Sequence, residues 1–449
     1  PHEPHRRLIM SSDSPARPTL LYSLYCGASA LIAPFAWRKV AGKLRDYGLP
    51  EARVRERLGH ASLPRPAGRL IWFHAASVGE SLSVLTLIKR MGEQAPDAEF
   101  LITSGTPTSA ELIAKRMPPR CRHQFPPLDT ASAVDRFLAH WRPDLGVFVE
   151  SELWPQMLVR ARKGGCPLVL LNARLSDRSV EGWKKRPETA RYILGQFDLL
   201  VTQNAKTASN LQAMGANPKR VRPGSNLKAV SAPLPVDQDS LEKLRRNIGE
   251  RPVWIASSTH EGEEETVLEA HKALLKKHPD LCLLLAPRHP ERGDAAEALV
   301  KGAGLSCARR SKGVMPGTAT QVYLADTLGE VGTWYALSPL VFLGGSLREI
   351  GGHNPFEPMQ AGATVITGTG HYNFAETYAE LTALGAAAEV RSAAELTDQV
   401  ATWLEQPQAF QAACDAARQF ISRQSDQLDR TVDALLAVLP RDGGHDGKN

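Results

Sequence analysis

Beyond Gly59 the chain alternates short apolar runs with longer stretches whose apolar residues recur at helical spacing. In the first half, the runs at 69–74 (RLIWFH), 98–103 (AEFLIT), 144–149 (DLGVFV), 167–172 (PLVLLN) and 198–202 (DLLVT) predict strands. Each precedes a helix-like segment, the pattern of a parallel sheet with helices on both faces. Around 223–240 (PGSNLKAVSAPLPVDQDS) the alternation breaks into Pro, Ser and Asp, which reads as a linker. A second series follows at 252–257, 281–286, 321–324, 339–343 and 363–367, and 407–438 is helical with no strand after it. The fold class expected is α/β: two doubly wound domains with a cleft between them, ligands lying at the C-terminal ends of the strands.

Ahead of these domains, Pro18 to Trp37 contains no charged residue. The stretch LLYSLYCGASALIAPFAW forms a helix about 28 Å long, just enough to cross a hydrocarbon core. A signal peptide is one reading, since Ala28-Ser29-Ala30 resembles a cleavage site. Against it, Arg38, Lys39, Lys43 and Arg45 follow at once and oppose translocation. A spanning helix with its C-terminal side cytoplasmic is the second reading. A shallow interfacial helix is the third, favoured by Pro34, the small residues and the flanking Tyr and Trp. An ordinary buried helix is the fourth. The basic flank favours a membrane anchor on the cytoplasmic face.

Composition narrows the class. The chain has 449 residues, 43% hydrophobic and 23% charged, which excludes disordered, collagen-like and polytopic membrane chains. Its net charge of +6 conceals a split. Residues 1–235 hold 34 Lys and Arg against 19 Asp and Glu, a net of +15; residues 236–449 hold 20 against 29, a net of −9. The first half therefore suits an anionic partner: nucleic acid, a phosphorylated lipid or a membrane surface. The six cysteines are widely spaced, with no C-x-x-C, arguing against disulfides or a thiolate metal site.

No dinucleotide or P-loop glycine signature and no H-E-x-x-H is present. The one D-x-D, Asp237 to Asp239, falls in the linker. F-H-A-A-S-V-G-E (73–80) leaves a strand and opens a helix. Glu80 there has two readings: an ionised carboxylate facing the cleft that accepts a proton, or the second half of a capping box with Ser77. Spacing alone favours the cap. E-S-E-L-W-P (150–155) sets Glu150 and Glu152 about a turn. L-N-A-R-L-S-D-R-S (171–179) offers Arg174 and Arg178 to anionic groups, although solvated loop charge is an equal reading.

In the second half, S-S-T-H-E-G-E-E-E (257–265) puts acids into a first helical turn, a dipole match that needs no function, with Ser258 or Thr259 as N-cap. A-P-R-H-P-E-R (286–292) leaves Arg288 at a strand end as a phosphate grip. F-L-G-G-S-L-R-E-I-G-G-H-N-P-F-E-P (342–358) is the strongest signal. Gly344, Gly345, Gly351 and Gly352 permit close approach of backbone to a ligand, His353 and Asn354 stand where a helix begins, and Glu357 can accept from ribose hydroxyls.

At these residues the chain resembles the 3-deoxy-D-manno-octulosonic acid (Kdo) transferases of lipopolysaccharide assembly. H-A-A-S-V-G-E, E-S-E-L-W-P, L-N-A-R-L-S-D-R-S, S-T-H-E-G-E, P-R-H-P-E-R, D-T-L-G-E and G-G-H-N-P-F-E-P occur in the family's order. Phe356 stands where Leu is usual and Leu328 where Met is usual. The resemblance implies a GT-B fold of two facing Rossmann-like domains, at 46–230 for the acceptor and 231–440 for the donor, after a tail and anchor at 1–45. It implies inverting transfer of Kdo from CMP-Kdo to a lipid A precursor (lipid IVA), without a catalytic metal or other cofactor, on the cytoplasmic face of the inner membrane. Glu80 would be the general base, which reverses the reading from spacing. Pro287, Arg288, Leu328, Gly329, Glu330, Asn354, Pro355, Phe356 and Glu357 match nucleotide-binding segments, with Ser258, His260, Gly352 and His353 nearby. Ser77, Gly79, Glu150, Glu152, Arg174 and Arg178 would serve the acceptor. The expected partners are CMP-Kdo, the lipid acceptor and an anionic phospholipid surface; nucleic acid drops out, and no oligomeric state is fixed. The alternatives are a GT-B enzyme using a UDP-sugar and a non-catalytic protein binding anionic lipid.

Overall fold

A computed structural model describes residues 17–440 other than Ser225. The tail expected before the apolar helix lies outside the described residues through position 16. The chain divides into two units: one runs through Ser231 and takes in Gln424 onward, the other is Ala232–Arg423.

The first unit holds strands β1 (Arg69–His74), β2 (Ala98–Thr103), β3 (Cys121–Gln124), β4 (Leu145–Val149), β5 (Leu168–Ala173), β6 (Leu199–Thr202) and β7 (Val221–Pro223). They form one parallel sheet ordered β3-β2-β1-β4-β5-β6-β7. Side chains alternate across it: Leu70 and Trp72 enter one core, Ile71 and Phe73 the other. Burial on both faces is why these strands read as continuous apolar runs. The last turns of the final helix, Pro407–Val438, supply Leu428, Val432 and Leu435 to the second of those cores.

The second unit holds β8 (Val253–Thr259), β9 (Cys282–Pro287), β10 (Cys307–Arg309), β11 (Val322–Leu324), β12 (Leu340–Leu343), β13 (Thr364–Thr367) and β14 (Ala387–Glu389), ordered β10-β11-β9-β8-β12-β13-β14. Trp254 and Ala256 face one core, Ile255 the other. The first strand of each unit lies inside its sheet, and the order turns beside it, between β1 and β4 and between β8 and β12. Helices depart to opposite sides there and leave a crevice at the strands' C-terminal ends.

Four strands have no counterpart in the sequence reading: β3, β7, β10 and β14. All four are sheet edges of three or four residues. An edge is covered less completely and tolerates polar residues or proline, so no apolar run marks it. Within the expected linker, Gly224 and Asn226 are irregular, as is 231–237. Before it, Leu227–Val230 form a 3₁₀ turn held by a hydrogen bond from Leu227 N to Asn172 Oδ1 at 3.1 Å.

The apolar N-terminal stretch is one helix, Leu20–Asp46, that continues through the basic residues. By length and composition it is able to cross a membrane. One side is fastened to the first unit along its length. Thr19 and Thr189 hydroxyls meet at 2.9 Å, Tyr25 donates to Asp129 at 2.7 Å, and Gln156 donates to Ser29 at 2.7 Å. Its last turns bury Ala41 and Leu44 beside Val54 and Phe125. The other side exposes Leu20, Leu24, Leu31, Ile32 and Phe35.

Candidate functional site

In the first unit, the expected residues collect at the C-terminal ends of β1, β4 and β5. Ser77 caps the helix Val78–Gln94, its hydroxyl oxygen accepting from Glu80 N at 3.2 Å. The Glu80 carboxylate accepts from Ala76 N at 2.8 Å on one oxygen and from the Ser77 hydroxyl at 3.1 Å on the other. The local capping read from S-x-x-E is therefore present, although the backbone partner is Ala76 rather than the cap residue. Each carboxylate oxygen keeps a lone pair beyond these bonds. Ser77 and Gly79 are exposed and Glu80 half-buried.

Glu150 follows β4 with φ +56°, and Asn172 within β5 has φ +54°. Left-handed backbone at non-glycine residues costs of order 1–3 kcal/mol each and clusters at sites. Burial pushes the Glu150 carboxyl up; Lys228, 3.8 Å away, and Arg174 pull it back, and the charges of Glu80 and Glu152 raise it further. Glu80, Glu152, Lys228 and Arg174 thus all lie close enough to Glu150 to act on its charge. Burial also acts to raise Glu152, but His74 and the Trp154 indole outweigh it and hold that carboxyl low. Arg178 stands apart: it is exposed on the helix Asp177–Lys184 with no ion pair among the described residues.

The sequence reading gave no role to His74, Thr103 or Lys228. Trp72 Nε1 donates to Thr103 Oγ1 at 2.9 Å, Thr103 meets His74 Nδ1 at 2.9 Å, and His74 Nε2 lies 3.3 Å from Glu152. When the Thr103 hydroxyl donates to Nδ1 rather than to Phe73 O, 3.3 Å away, an N–H faces Glu152. His74 ends the same apolar run that the motif begins on, the one available signal.

The second unit builds its site at the ends of β8, β9 and β12. His260 and His353 approach Nε2 to Nε2 at 2.8 Å with rings 5° from parallel, and His289 meets His260 edge-on at 5.6 Å between centroids. Burial, then the charges of His260 and Arg288, push His353 down to about 4. Burial lowers His260 as well. Both rings are thus neutral near pH 7. One Nε2 donates and the other accepts, which leaves one Nδ1 as a donor. Burial raises Glu357, against a hydrogen bond from Asn354 and the charge of Arg288. Ser258, His260, Pro287, Arg288, Gly352, His353, Asn354 and Glu357 therefore lie on strand ends and loops around one switch point, with Arg288 exposed.

The geometry refines four of the expectations. Neither Ser258 nor Thr259 is an N-cap: Gly262 is, at φ +87°, while Ser258 itself adopts φ +56°. The acidic run does occupy the first turn of the helix Glu263–Leu275, as expected, but Glu263 and Glu264 are fully buried there. Glu263 accepts backbone N–H groups from His260, Gly345, Ser346 and Leu347, and Arg292 pairs with Glu264 at 3.1 Å. The glycines make room for the chain itself: a Cβ on Gly344 would lie 2.6 Å from Ser258 O, and one on Gly345 2.7 Å from the His353 ring. Lastly, the helix after the loop is only Phe356–Gln360, capped by Pro355. Phe356 is buried and stacked on Phe420 at 6.2 Å, so its ring is core.

Leu328, Gly329 and Glu330 follow β11. Leu328 is 76% exposed, and Arg310, which the sequence reading passed over, clamps Glu330 at 2.6 and 3.1 Å and lowers its carboxyl.

A family model described as 3-deoxy-D-manno-octulosonic-acid transferase (kdotransferase) matches residues 52–231. The chain is 36% identical over 367 residues to a probable mitochondrial 3-deoxy-D-manno-octulosonic acid transferase of Arabidopsis thaliana, covering 79% of this chain and 81% of that protein. It is 34% identical over 400 residues to a 3-deoxy-D-manno-octulosonic acid transferase of Haemophilus influenzae, covering 87% and 93%. Among solved structures, a UDP-GlcNAc 2-epimerase from Neisseria meningitidis bound to UDP-GlcNAc matches with TM-score 0.58 and 12% identity, over 82% of this chain and 100% of that one. That likeness bears on fold alone and agrees with two Rossmann-like units of the GT-B class.

Proposed function

The chain belongs to the 3-deoxy-D-manno-octulosonic acid transferase family, and we propose that it moves Kdo from CMP-Kdo to a lipid A precursor with inversion at the anomeric carbon. Glu80 is the base in this reading. The acceptor hydroxyl gives its proton to Glu80 as its oxygen bonds to the anomeric carbon. The bond from that carbon to the CMP phosphate oxygen breaks, and CMP leaves with the electron pair. The observation that carries the reading is Glu80 itself: a carboxylate oriented by Ala76 N and Ser77, beside the reversal of strand order, with unfilled lone pairs.

Charge developing on CMP is met in this reading without a metal, by exposed Arg288 and the free Nδ1–H of the imidazole pair. The glycine loop, Asn354 and Glu357 hold the nucleotide. On the first unit, Lys228, Arg174 and the more distant Arg178 attract the acceptor's anionic groups. The N-terminal helix keeps its polar side on the protein and lays Leu24, Leu31, Ile32 and Phe35 into the cytoplasmic face of the inner membrane. The bonds from Tyr25 to Asp129 and from Gln156 to Ser29 favour lying on the surface over spanning, because a spanning helix would forfeit them.

Mass spectrometry of product from purified protein, CMP-Kdo and the lipid A precursor tests the activity: the acceptor gains Kdo, and an unchanged acceptor mass refutes it. Nucleotide protection against thermal unfolding tests the donor. CMP raises Tm in this reading, and UDP outperforming CMP refutes it.

A further inference from the structure

A cavity of about 390 Å³ opens in the first unit among the N-terminal helix and the helices Asp177–Lys184 and Pro187–Leu194. That volume falls within the range of small-ligand clefts, ~300–1,000 Å³. Its walls are the side chains of Leu21, Tyr22, Tyr25, Trp183 and Ile193. Two of the polar groups among the lining residues are already engaged: the Tyr25 hydroxyl donates to Asp129 and the Thr189 hydroxyl meets Thr19. The surface left to a ligand is mainly ring and aliphatic carbon.

Three features say what fits. The cavity is continuous with the exposed apolar side of the N-terminal helix, since Leu21 lines it and Leu20 and Leu24 are exposed beside it. Arg186 stands at its rim, and exposed Arg178 and Lys185 lie on the same two-helix segment; none of the three makes an ion pair among the described residues. Pro155 and Ser179, also at the wall, begin the helices that follow β4 and β5. The cavity thus borders the strand-end edge that carries Glu80, Glu150 and Glu152.

We infer that this cavity takes an acyl chain of the lipid acceptor, with the arginines at its rim engaging the acceptor's anionic head. This rests on the reading of the acceptor as a lipid. Aromatic and aliphatic walls exclude water from the chain. The rim then fixes which end points toward Glu80. An acyl chain of a bilayer phospholipid has the same chemistry, but it would not need a site on the carboxylate-bearing edge.

Gly182 supplies the test. It lines the cavity, and a Cβ built on it meets nothing within 4 Å. Gly182→Leu therefore projects into the cavity from a helix interior, where leucine is the better helix former, and the fold is retained. Steady-state transfer to the acylated precursor in mixed micelles gives one readout. Tryptophan quenching by the same precursor with brominated acyl chains gives a second that does not depend on transfer. The expected result is an acceptor KM raised about tenfold or more, quenching largely lost, and KM for CMP-Kdo and Tm unchanged. An acceptor KM and quenching both within twofold of wild type overturn the cavity assignment while leaving the activity standing. Wild type that is quenched but transfers nothing sinks the activity; loss of that quenching in Gly182→Leu still supports the cavity. Equal loss of quenching with brominated phosphatidylglycerol alone assigns the cavity to bilayer lipid and overturns the acceptor.

Discussion

Replacing Glu263 by glutamine tests what shapes the glycine loop. One fully buried carboxylate accepts four backbone N–H groups, from His260 and Gly345 at 2.9 and 2.7 Å on Oε2 and from Ser346 and Leu347, both at 2.9 Å, on Oε1. Glutamine keeps one acceptor oxygen and so serves two of them. Its amide nitrogen then points hydrogens at two N–H groups that have lost their acceptor. Hydrogen bonds to a charged group contribute ~1.5–3 kcal/mol each, so losing two costs about 3–6 kcal/mol. Relief from burying a charge offsets part of this, which favours the lower figure. At ~2–4 °C per kcal/mol for a unit of this size, about 3 kcal/mol lowers the second unit's Tm by roughly 6–12 °C. Calorimetry reads that fall. Hydrogen exchange at Gly345, Ser346 and Leu347 should quicken with it, and KM for CMP-Kdo should rise because His353 packs on Gly345. A Tm within about 2 °C of wild type, with exchange at those amides unchanged, refutes the reasoning.

Glu80→Gln separates capping from catalysis, since the amide oxygen still accepts from Ala76 N. A lost general base lowers kcat by about 10²–10⁴ with Tm and donor KM little changed; kcat within tenfold of wild type would leave Glu80 only its cap. Leu31→Glu with Phe35→Glu removes two side chains that are 79% and 73% exposed and so serve no core. At ~1.5–3 kcal/mol per apolar side chain, sedimentation with phosphatidylglycerol vesicles should weaken about 100-fold, and unaltered binding rejects the membrane role. His271 is fully buried, accepts from Trp254 at 3.1 Å, bonds Gln321 O at 2.9 Å, and is pushed by burial down to about 4. Its folded pKa lies below the unfolded ~6.5, so between those values the unfolded chain binds a proton that the folded one refuses. Stability falls as pH drops through that window, by on the order of 3 kcal/mol from this group. Raised carboxyls such as Glu264 and Glu357 contribute in the opposite sense. The His271→Asn difference therefore isolates the imidazole: its Tm should fall less between pH 6.5 and 4, and an identical slope would show that His271 is not the group titrating.

What the sequence revealed follows from how completely each element is covered. The ten strands read from apolar runs are buried on both faces, so apolar residues follow one another along most of each. The four that escaped are sheet edges, and β3, written Cys121-Arg122-His123-Gln124, shows why. His123 is buried with its ring nitrogens bonded to Ser104 and Arg53, a role that an apolar residue could not fill, so its burial is not marked by an apolar run. The site divides the same way. Glu80, Arg288 and His353 stand in strings that leave strand ends, where a periodicity argument already places ligands. Glu263 escaped because three successive acids in a first turn satisfy the helix dipole. Only tertiary placement reveals that the first of them turns inward onto a loop about eighty residues away.

The charge split along the chain fails as a guide to the sites for a related reason. Net balance counts every side chain equally, whereas in salt a charge acts over about 10 Å. In the first half, with 34 Lys and Arg against 19 acids, the strand-end edge gathers Glu80, Glu150 and Glu152 against Lys228 and Arg174. Several other cations of that half are spent on local partners: Arg160 on Asp135, Arg162 on Asp198 and Arg69 on Asp97. In the acidic second half the strand-end edge gathers Arg288 and three imidazoles. Two acids of the nearby run are withdrawn, Glu263 onto backbone N–H groups and Glu264 onto Arg292. Each site thus departs from the balance of the half that carries it. The surplus positive charge of the first half is left to exposed residues that follow the apolar stretch and to those around Arg186, away from the reacting groups.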